Sequence, residues 1–329
     1  MFQKALLAGG LVALSVTVAN AADAPKELTF GVISTESSQA LRTKWEPFIE
    51  DLQKSIGMPI KAAYATDYAG IIEGMRFGKV QLAWYGNKSA MEAVDRADGQ
   101  VFVQSTSADG TAGYYSVILV HRDSEIKTLE DLLKNGKSYT FGNGDPNSTS
   151  GFLVPSYYVF AKNNVDPKTA FKRMVTANHE TNILAVANKQ LDAATNNTEQ
   201  LSFTEKNAPE KFKEVRILWK SPIIPNDPIV WRKDLPDDVK AKLKIFFANY
   251  GVKGTPEEVH HAKEVLNGMR WGPFKESSDR QLIPIRQLEL FRDRTKVAND
   301  ESLAADAKKA KLAEFDAKLA ELDKQAQGS

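Results

Sequence analysis

Residues 140–152 read Thr140-Phe141-Gly142-Asn143-Gly144-Asp145-Pro146-Asn147-Ser148-Thr149-Ser150-Gly151-Phe152. A short strand runs into glycines and a Pro-containing turn, and three hydroxyl residues then open a helix. Ser148 is placed to cap that helix, and the free N–H groups of the first turn would point outward with the positive end of the helix dipole behind them. Such a start suits a phosphate-like anion, although Ser and Thr also open many helices that bind nothing. The stretch is not a P-loop, since no Lys follows the glycines, and it misses the G-x-G-x-x-G spacing of a dinucleotide site.

The same alternation runs outward in both directions. Upstream, Leu28–Ile33, Ile60–Tyr64 and Gln81–Tyr85 read as strands, separated by helical patterns over Ser38–Ser55 and Tyr68–Phe77. A second series starts with the strand-like run Tyr114–His121 and continues through a helix at Leu129–Leu133, a strand at Ser138–Phe141 and a helix at Ser150–Asn163. A helix at Asn182–Asn188 and a strand at Leu191–Thr195 complete it. This is the pattern of βαβ units with a largely parallel sheet. The units echo each other: Gly78-Lys79-Val80-Gln81-Leu82-Ala83 resembles Asn188-Lys189-Gln190-Leu191-Asp192-Ala193-Ala194, and polar clusters follow each, Tyr85-Gly86-Asn87 and Asn196-Asn197-Thr198. Ligands in open α/β sheets sit beyond the carboxyl ends of strands, so two such ends facing each other predict a cleft. A strand at Pro228–Arg232 and a helix at Leu235–Tyr250 read as a return to the first unit, with crossings near Tyr114–Arg122 and Ser221–Arg232 as the hinge.

The first residues predict a secretory signal over 1–21: Lys4, the apolar Ala5–Val18, and the A-x-A site Ala19-Asn20-Ala21. Lys4 is the only charged residue there, so 43 Lys and Arg against 42 Asp and Glu become a balanced mature chain. Neutrality offers no footprint for nucleic acid or an anionic membrane. With zero cysteines there is no disulfide, thiol nucleophile, Cys metal site or lipoprotein anchor. The remaining roughly 300 residues are enough for two domains.

Other features are weaker. His260-His261 lies among Glu257, Glu258 and Glu264, but adjacent residues on a helix point apart and the H-E-x-x-H spacing is absent, so a solvated face is expected. Trp84, Trp219, Trp231 and Trp271 read as core or cleft-wall residues. In the tail, Leu312, Phe315, Leu319 and Leu322 make an apolar helical stripe that packs on its own body or pairs with a second copy as a homodimer.

The runs Phe30-Gly31-Val32-Ile33-Ser34-Thr35-Glu36, Asp67-Tyr68-Ala69-Gly70-Ile71-Ile72, Ala83-Trp84-Tyr85-Gly86-Asn87, Gly142–Gly151, His179-Glu180-Thr181-Asn182, Thr195-Asn196-Asn197-Thr198-Glu199 and Asp227-Pro228-Ile229-Val230-Trp231 resemble the phosphonate-binding periplasmic proteins of bacterial phosphonate ABC transporters. The likeness extends to about Arg294. It implies a type II periplasmic binding fold of class α/β, with two lobes joined by two hinge strands. Lobe 1 is expected over 26–118 and 229–295, lobe 2 over 119–228, and a helical tail over 296–329. It implies a non-enzymatic protein that needs no cofactor, resides in the periplasm, captures a phosphonate such as 2-aminoethylphosphonate, and delivers it to a membrane-embedded ABC permease.

The resemblance also implies roles. Ser148, Thr149, Ser150, Tyr68, Tyr114 and His179 would hold the phosphonate oxygens, and Glu199 and Asp227 would receive the amino group. Hydroxyl, phenol, imidazole and amide donors satisfy phosphonate acceptors, and two carboxylates can neutralise an ammonium taken out of water. A periplasmic hydrolase is the first rival, lacking a recognisable activating base or metal cluster. A bare oxyanion such as phosphate or phosphite, or a phosphorylated vitamin, is the second; paired acids would repel a bare oxyanion.

Overall fold

The computed structural model describes residues 25–328; the expected signal segment 1–21 lies outside them. Among the described residues, eleven strands form two sheets. The first contains β1 (Leu28–Val32), β2 (Ile60–Tyr64), β3 (Leu82–Trp84), β4 (Gly99–Ser107), β10 (Pro228–Arg232) and β11 (Trp271–Glu276), in the order β11-β4-β10-β3-β1-β2. The second contains β5 (Gly113–His121), β6 (Thr140–Asn143), β7 (Arg173–Thr176), β8 (Ala193–Asn197) and β9 (Val215–Pro225), in the order β7-β6-β8-β5-β9.

Both sheets are mixed, which corrects the expectation of largely parallel pairing. Parallel ladders join β1 to β2 and β3, and β6 to β7 and β8. The strands next to the crossings pair antiparallel: β10 with β3 and β4, and β5 with β8 and β9. They enter their sheet from the other unit rather than through a helical crossover, so the geometry of a βαβ step does not bind them. The chain changes sheet between Ser107 and Gly113, earlier than the expected Tyr114–Arg122, because Gly113 already pairs with Pro225. It returns between Pro225 and Pro228, where Pro228 pairs with Gln104.

Burial follows strand periodicity. Along β5, Val117 and Leu119 join Ile183 and Val186 on one face, and Ile118 and Val120 join Phe141 and Phe160 on the other. Successive strand residues point to opposite faces, so helices covering both sides make an apolar run out of an alternating one. The first unit centres on aromatic packing. Trp45 and Phe48 of the Ser38–Ile56 helix meet edge to face at 5.7 Å, and Phe48 meets Tyr250 at 5.2 Å.

The echo between the units is present in the backbone but displaced by one residue. Gly78 and Lys189 both adopt left-handed φ, +67° and +59°. Lys79 N–H then bonds Gly74 O as Gln190 N–H bonds Ala185 O. Each is a helix exit leading into a strand that ends at the cleft.

At the far end, the Ile283–Asn299 and Ala305–Gln327 helices pack on each other. Leu319 is buried, Leu312, Phe315 and Leu322 are half-buried, and Arg294 pairs with Asp316 at 2.6 Å. The apolar stripe of the tail is therefore taken up by its own body. His260 and His261 lie exposed on the Pro256–Gly268 helix, with His261 2.9 Å from Asp51.

Candidate functional site

Ser148 caps the turn that follows β6, its Oγ accepting from Gly151 N–H at 3.0 Å. The helix it opens is not the plain α-helix expected over Ser150–Asn163. Thr149–Leu153 and Ser156–Phe160 wind as π turns around Pro155, which has no N–H to donate. Val154 N–H bonds to Thr149 O, and the Ser150 carbonyl instead accepts the Ser116 hydroxyl at 2.6 Å. Gly144 packs directly on Gly151, its N–H donating to the Gly151 carbonyl at 3.0 Å. Turn and helix start are thus fixed as one rigid block.

All eight residues singled out from the sequence line one narrow cavity between the sheets. Tyr68 arrives at the start of the Tyr68–Arg76 helix, and its backbone N–H donates to Asp145 Oδ2 at 3.1 Å. His179 starts the His179–Ala187 helix, three residues before the expected Asn182. Glu199 follows β8 on the Thr198–Asn207 helix, capped by Asn197, whose Oδ1 accepts from Gln200 N–H at 2.7 Å. Tyr114 and Asp227 stand beside the two crossings, and the Tyr114 hydroxyl donates to Asp227 Oδ1 at 2.9 Å. Asn87 Nδ2 also reaches Asp227 Oδ1, at 3.3 Å.

The cavity lining brings hydroxyl donors and acids close together. A methyl group built on Gly86 would lie 3.2 Å from Thr149 Oγ1 and 3.9 Å from Asp227 Oδ1. Among the described residues, Thr35 Oγ1, Trp84 Nε1 and His179 Nδ1 are buried cavity-lining atoms without a protein partner. Buried polar groups left this way cost free energy that an incoming acceptor or donor offsets.

Electrostatics differ between the donors and the acids. Burial pushes His179 down to about 4, so the imidazole is neutral. Burial pushes Glu199 up to about 7 against the opposing pull of Lys44 and a hydrogen bond from Trp271. Asp227 is held well above the usual carboxylate range by burial first and by Glu199 second. A cation docked here would reverse both shifts.

His179 Nε2 lies 3.4 Å from Ser148 Oγ, which invites comparison with a Ser–His nucleophile pair. The comparison fails on chemistry. Ser148 Oγ is occupied as a cap, His179 Nδ1 has no carboxylate to orient the ring, and a base near pKa 4 is too weak to activate a hydroxyl.

Sequence reasoning missed Glu36, Lys44 and Phe203 as lining residues, while Trp271, expected in the core or the cleft wall, lines the cavity beside Glu199. Of the other tryptophans, Trp84 lines the cavity, while Trp231 stacks on Phe102 at 4.0 Å in the core. The two units also touch directly across the cleft. Lys88 N–H donates to Thr149 Oγ1 at 2.9 Å, and Ser37 N–H donates to Glu180 Oε2 at 2.7 Å.

Residues 30–282 match the family model described as "ABC transporter, phosphonate, periplasmic substrate-binding protein". The chain is 57% identical over 306 residues to the phosphonates-binding periplasmic protein of Escherichia coli, covering 93% of this chain and 88% of that one. It is 30% identical to a phosphate-import protein of Mycolicibacterium smegmatis, covering 71% and 75%. Among solved structures, the binding protein component of an ABC phosphonate transporter from Pseudomonas aeruginosa superposes with a TM-score of 0.89 at 55% identity, covering 92% of this chain and 98% of that one.

Proposed function

The chain belongs to the family of periplasmic substrate-binding proteins of phosphonate ABC transporters, and we propose that within it the protein captures an aminoalkylphosphonate, 2-aminoethylphosphonate foremost, for delivery to a membrane-embedded permease. What supports this reading is the mixed lining of one cavity, where hydroxyl-bearing Ser148–Ser150 and the acids Glu199 and Asp227 face the same space. Phosphonate oxygens take the helix-start N–H groups, the hydroxyls of Tyr68 and Tyr114, and the neutral His179 ring. The ammonium takes the two carboxylates, which satisfy its N–H donors and neutralise its charge out of water.

The reaction cycle is binding without covalent change. Residues 25–107 with 228–295 form one lobe and 113–225 the other, and the two short links between them flex. Ligand seated on Ser148–Ser150 meets Tyr68 and Gly86 of the opposite lobe, and those added contacts shift the population toward the closed form. Export would use the signal at 1–21.

Phosphate is the second reading, favoured by the likeness to a phosphate-import protein. The paired acids disfavour it, since a bare oxyanion brings no cation to meet them. Competition calorimetry decides. 2-Aminoethylphosphonate should displace ethylphosphonate and phosphate at far lower concentration than the reverse, and phosphate binding as tightly as the aminated ligand sinks the proposal.

A further inference from the structure

Four residues that the proposed ligand contacts do not use meet beside Glu199. Lys44, on the Ser38–Ile56 helix of the first unit, pairs with Glu36, their side chains 15% and 9% exposed. Its ammonium lies 3.5 Å from the ring centroid of Phe203, which stands one helical turn after Glu199 in the second unit. Trp271 stands beside the Glu199 carboxyl and draws its pKa down, and all five side chains line the cavity. Lys44 is thus a buried amine held by an acid and an aromatic face of the other unit; burial pulls its pKa below the usual lysine range, and Glu36 opposes that pull and favours the cation.

We propose that Lys44 is a specificity-determining residue, an internal cation that shares Glu199 with the ligand and so sets how strongly the site demands an amine. The proposal rests on the reading of Glu199 as an ammonium receptor.

With all three ionised, Glu36, Lys44 and Glu199 alternate in sign, and the proposed ligand ammonium brings a second cation to Glu199. When the ligand carries no amine, Lys44 still gives Glu199 an opposite charge, and a plain alkylphosphonate is tolerated. When it carries one, the two cations repel while both attract Glu199. Lys44 therefore compresses the difference between aminated and plain phosphonates. Its attraction for the phosphonate group is common to both ligands and cancels in their ratio.

The test is the ratio of ethylphosphonate Kd to 2-aminoethylphosphonate Kd, by calorimetry on the mature protein at a pH well above the Glu199 value of about 7, so that the carboxyl is ionised. Lys44→Met should raise the ratio on the order of ten-fold, the scale of a charge interaction a few ångströms away at a partly screened site. Lys44→Arg, which keeps the charge, should hold the wild-type ratio. If Lys44→Met does not fold, Glu36→Gln/Lys44→Met removes the buried pair together and should give a smaller rise in the same direction. A ratio that stays at the wild-type value or falls in the folded charge-removing variant overturns the proposal. Glu199→Gln separates the causes. If it collapses the ratio while Lys44→Met leaves it unmoved, this inference alone fails. If it too leaves the ratio unmoved, the ammonium reading of Glu199 fails with it.

Discussion

Tyr114 donates its hydroxyl hydrogen to Asp227 Oδ1 at 2.9 Å, joining the residues that stand at the two passages between the sheets. A phenol has one O–H, so this donor cannot serve Asp227 and a phosphonate oxygen at once. An ammonium arriving at Asp227 would supply the carboxylate and free the hydroxyl to turn to the anionic head. Tyr114→Phe is therefore expected to weaken 2-aminoethylphosphonate by about 1–2 kcal/mol, the scale of one buried hydrogen bond, and ethylphosphonate, which brings no ammonium to free the hydroxyl, by less. Equal losses for the two ligands, or none for the aminated one, in titration calorimetry would rule out this exchange.

Glu199→Gln or Asp227→Asn should cost 2-aminoethylphosphonate about 2–5 kcal/mol, as for truncating one member of a buried charge pair. Ethylphosphonate should lose far less. Equal losses for both ligands in titration calorimetry would contradict the assigned roles.

Affinity for the aminated ligand should fall as pH drops through the neutral range. The free protein holds Glu199 at about 7 and Asp227 well above the carboxylate range. Ammonium favours the ionised acids, so their pKa values fall on binding and protons leave. Protonation at lower pH then competes with the ligand. His179, near 4, contributes no step between about pH 5 and 8. Ethylphosphonate lacks the amine, and because the ammonium lowers the second phosphonate ionisation of 2-aminoethylphosphonate, each free ligand's own titration is measured and subtracted; the difference that remains between the two pH profiles isolates the carboxyls. Calorimetry in buffers of different ionisation enthalpy reads the protons released; parallel profiles would rule this linkage out.

Gly144→Ala should damage the donor end. Its Cβ would sit 2.6 Å from Gly151 Cα and 2.7 Å from the Gly151 carbonyl atoms, a clash with backbone that no side-chain rotation relieves. The expected outcome is a stability loss of about 1–3 kcal/mol in thermal unfolding, with weaker binding of every phosphonate tested. Wild-type affinity and stability in the Ala variant would show that this contact does not set the helix start.

What the sequence made legible was local chemistry. The strand, glycines, turn and hydroxyl cap at 140–152 follow one another within a dozen residues, and each step has a backbone reason. Glu199 and Asp227 were reachable only through resemblance, since alone they read as a helix-start acid and a turn residue. Lys44 was illegible for a tertiary reason. It lies on an amphipathic helix where a Lys reads as solvated, and tertiary contacts with Glu36 and with Phe203 of the other unit enclose it. The π turns were hidden because moving from i+4 to i+5 bonding leaves the apolar pattern nearly intact. Antiparallel pairing of β10 and β11 depends on where the chain re-enters the first sheet, which no local pattern encodes.

The hydrogen bonds from Lys88 to Thr149 and from Ser37 to Glu180 pass from protein to protein without touching the cavity's acid end. Their share of the free energy that draws the halves together is blind to cargo identity. Retargeting this receptor, for instance as the recognition element of a phosphonate sensor, can therefore concentrate on the few side chains around Glu199 and Asp227 and inherit the mechanical response unchanged.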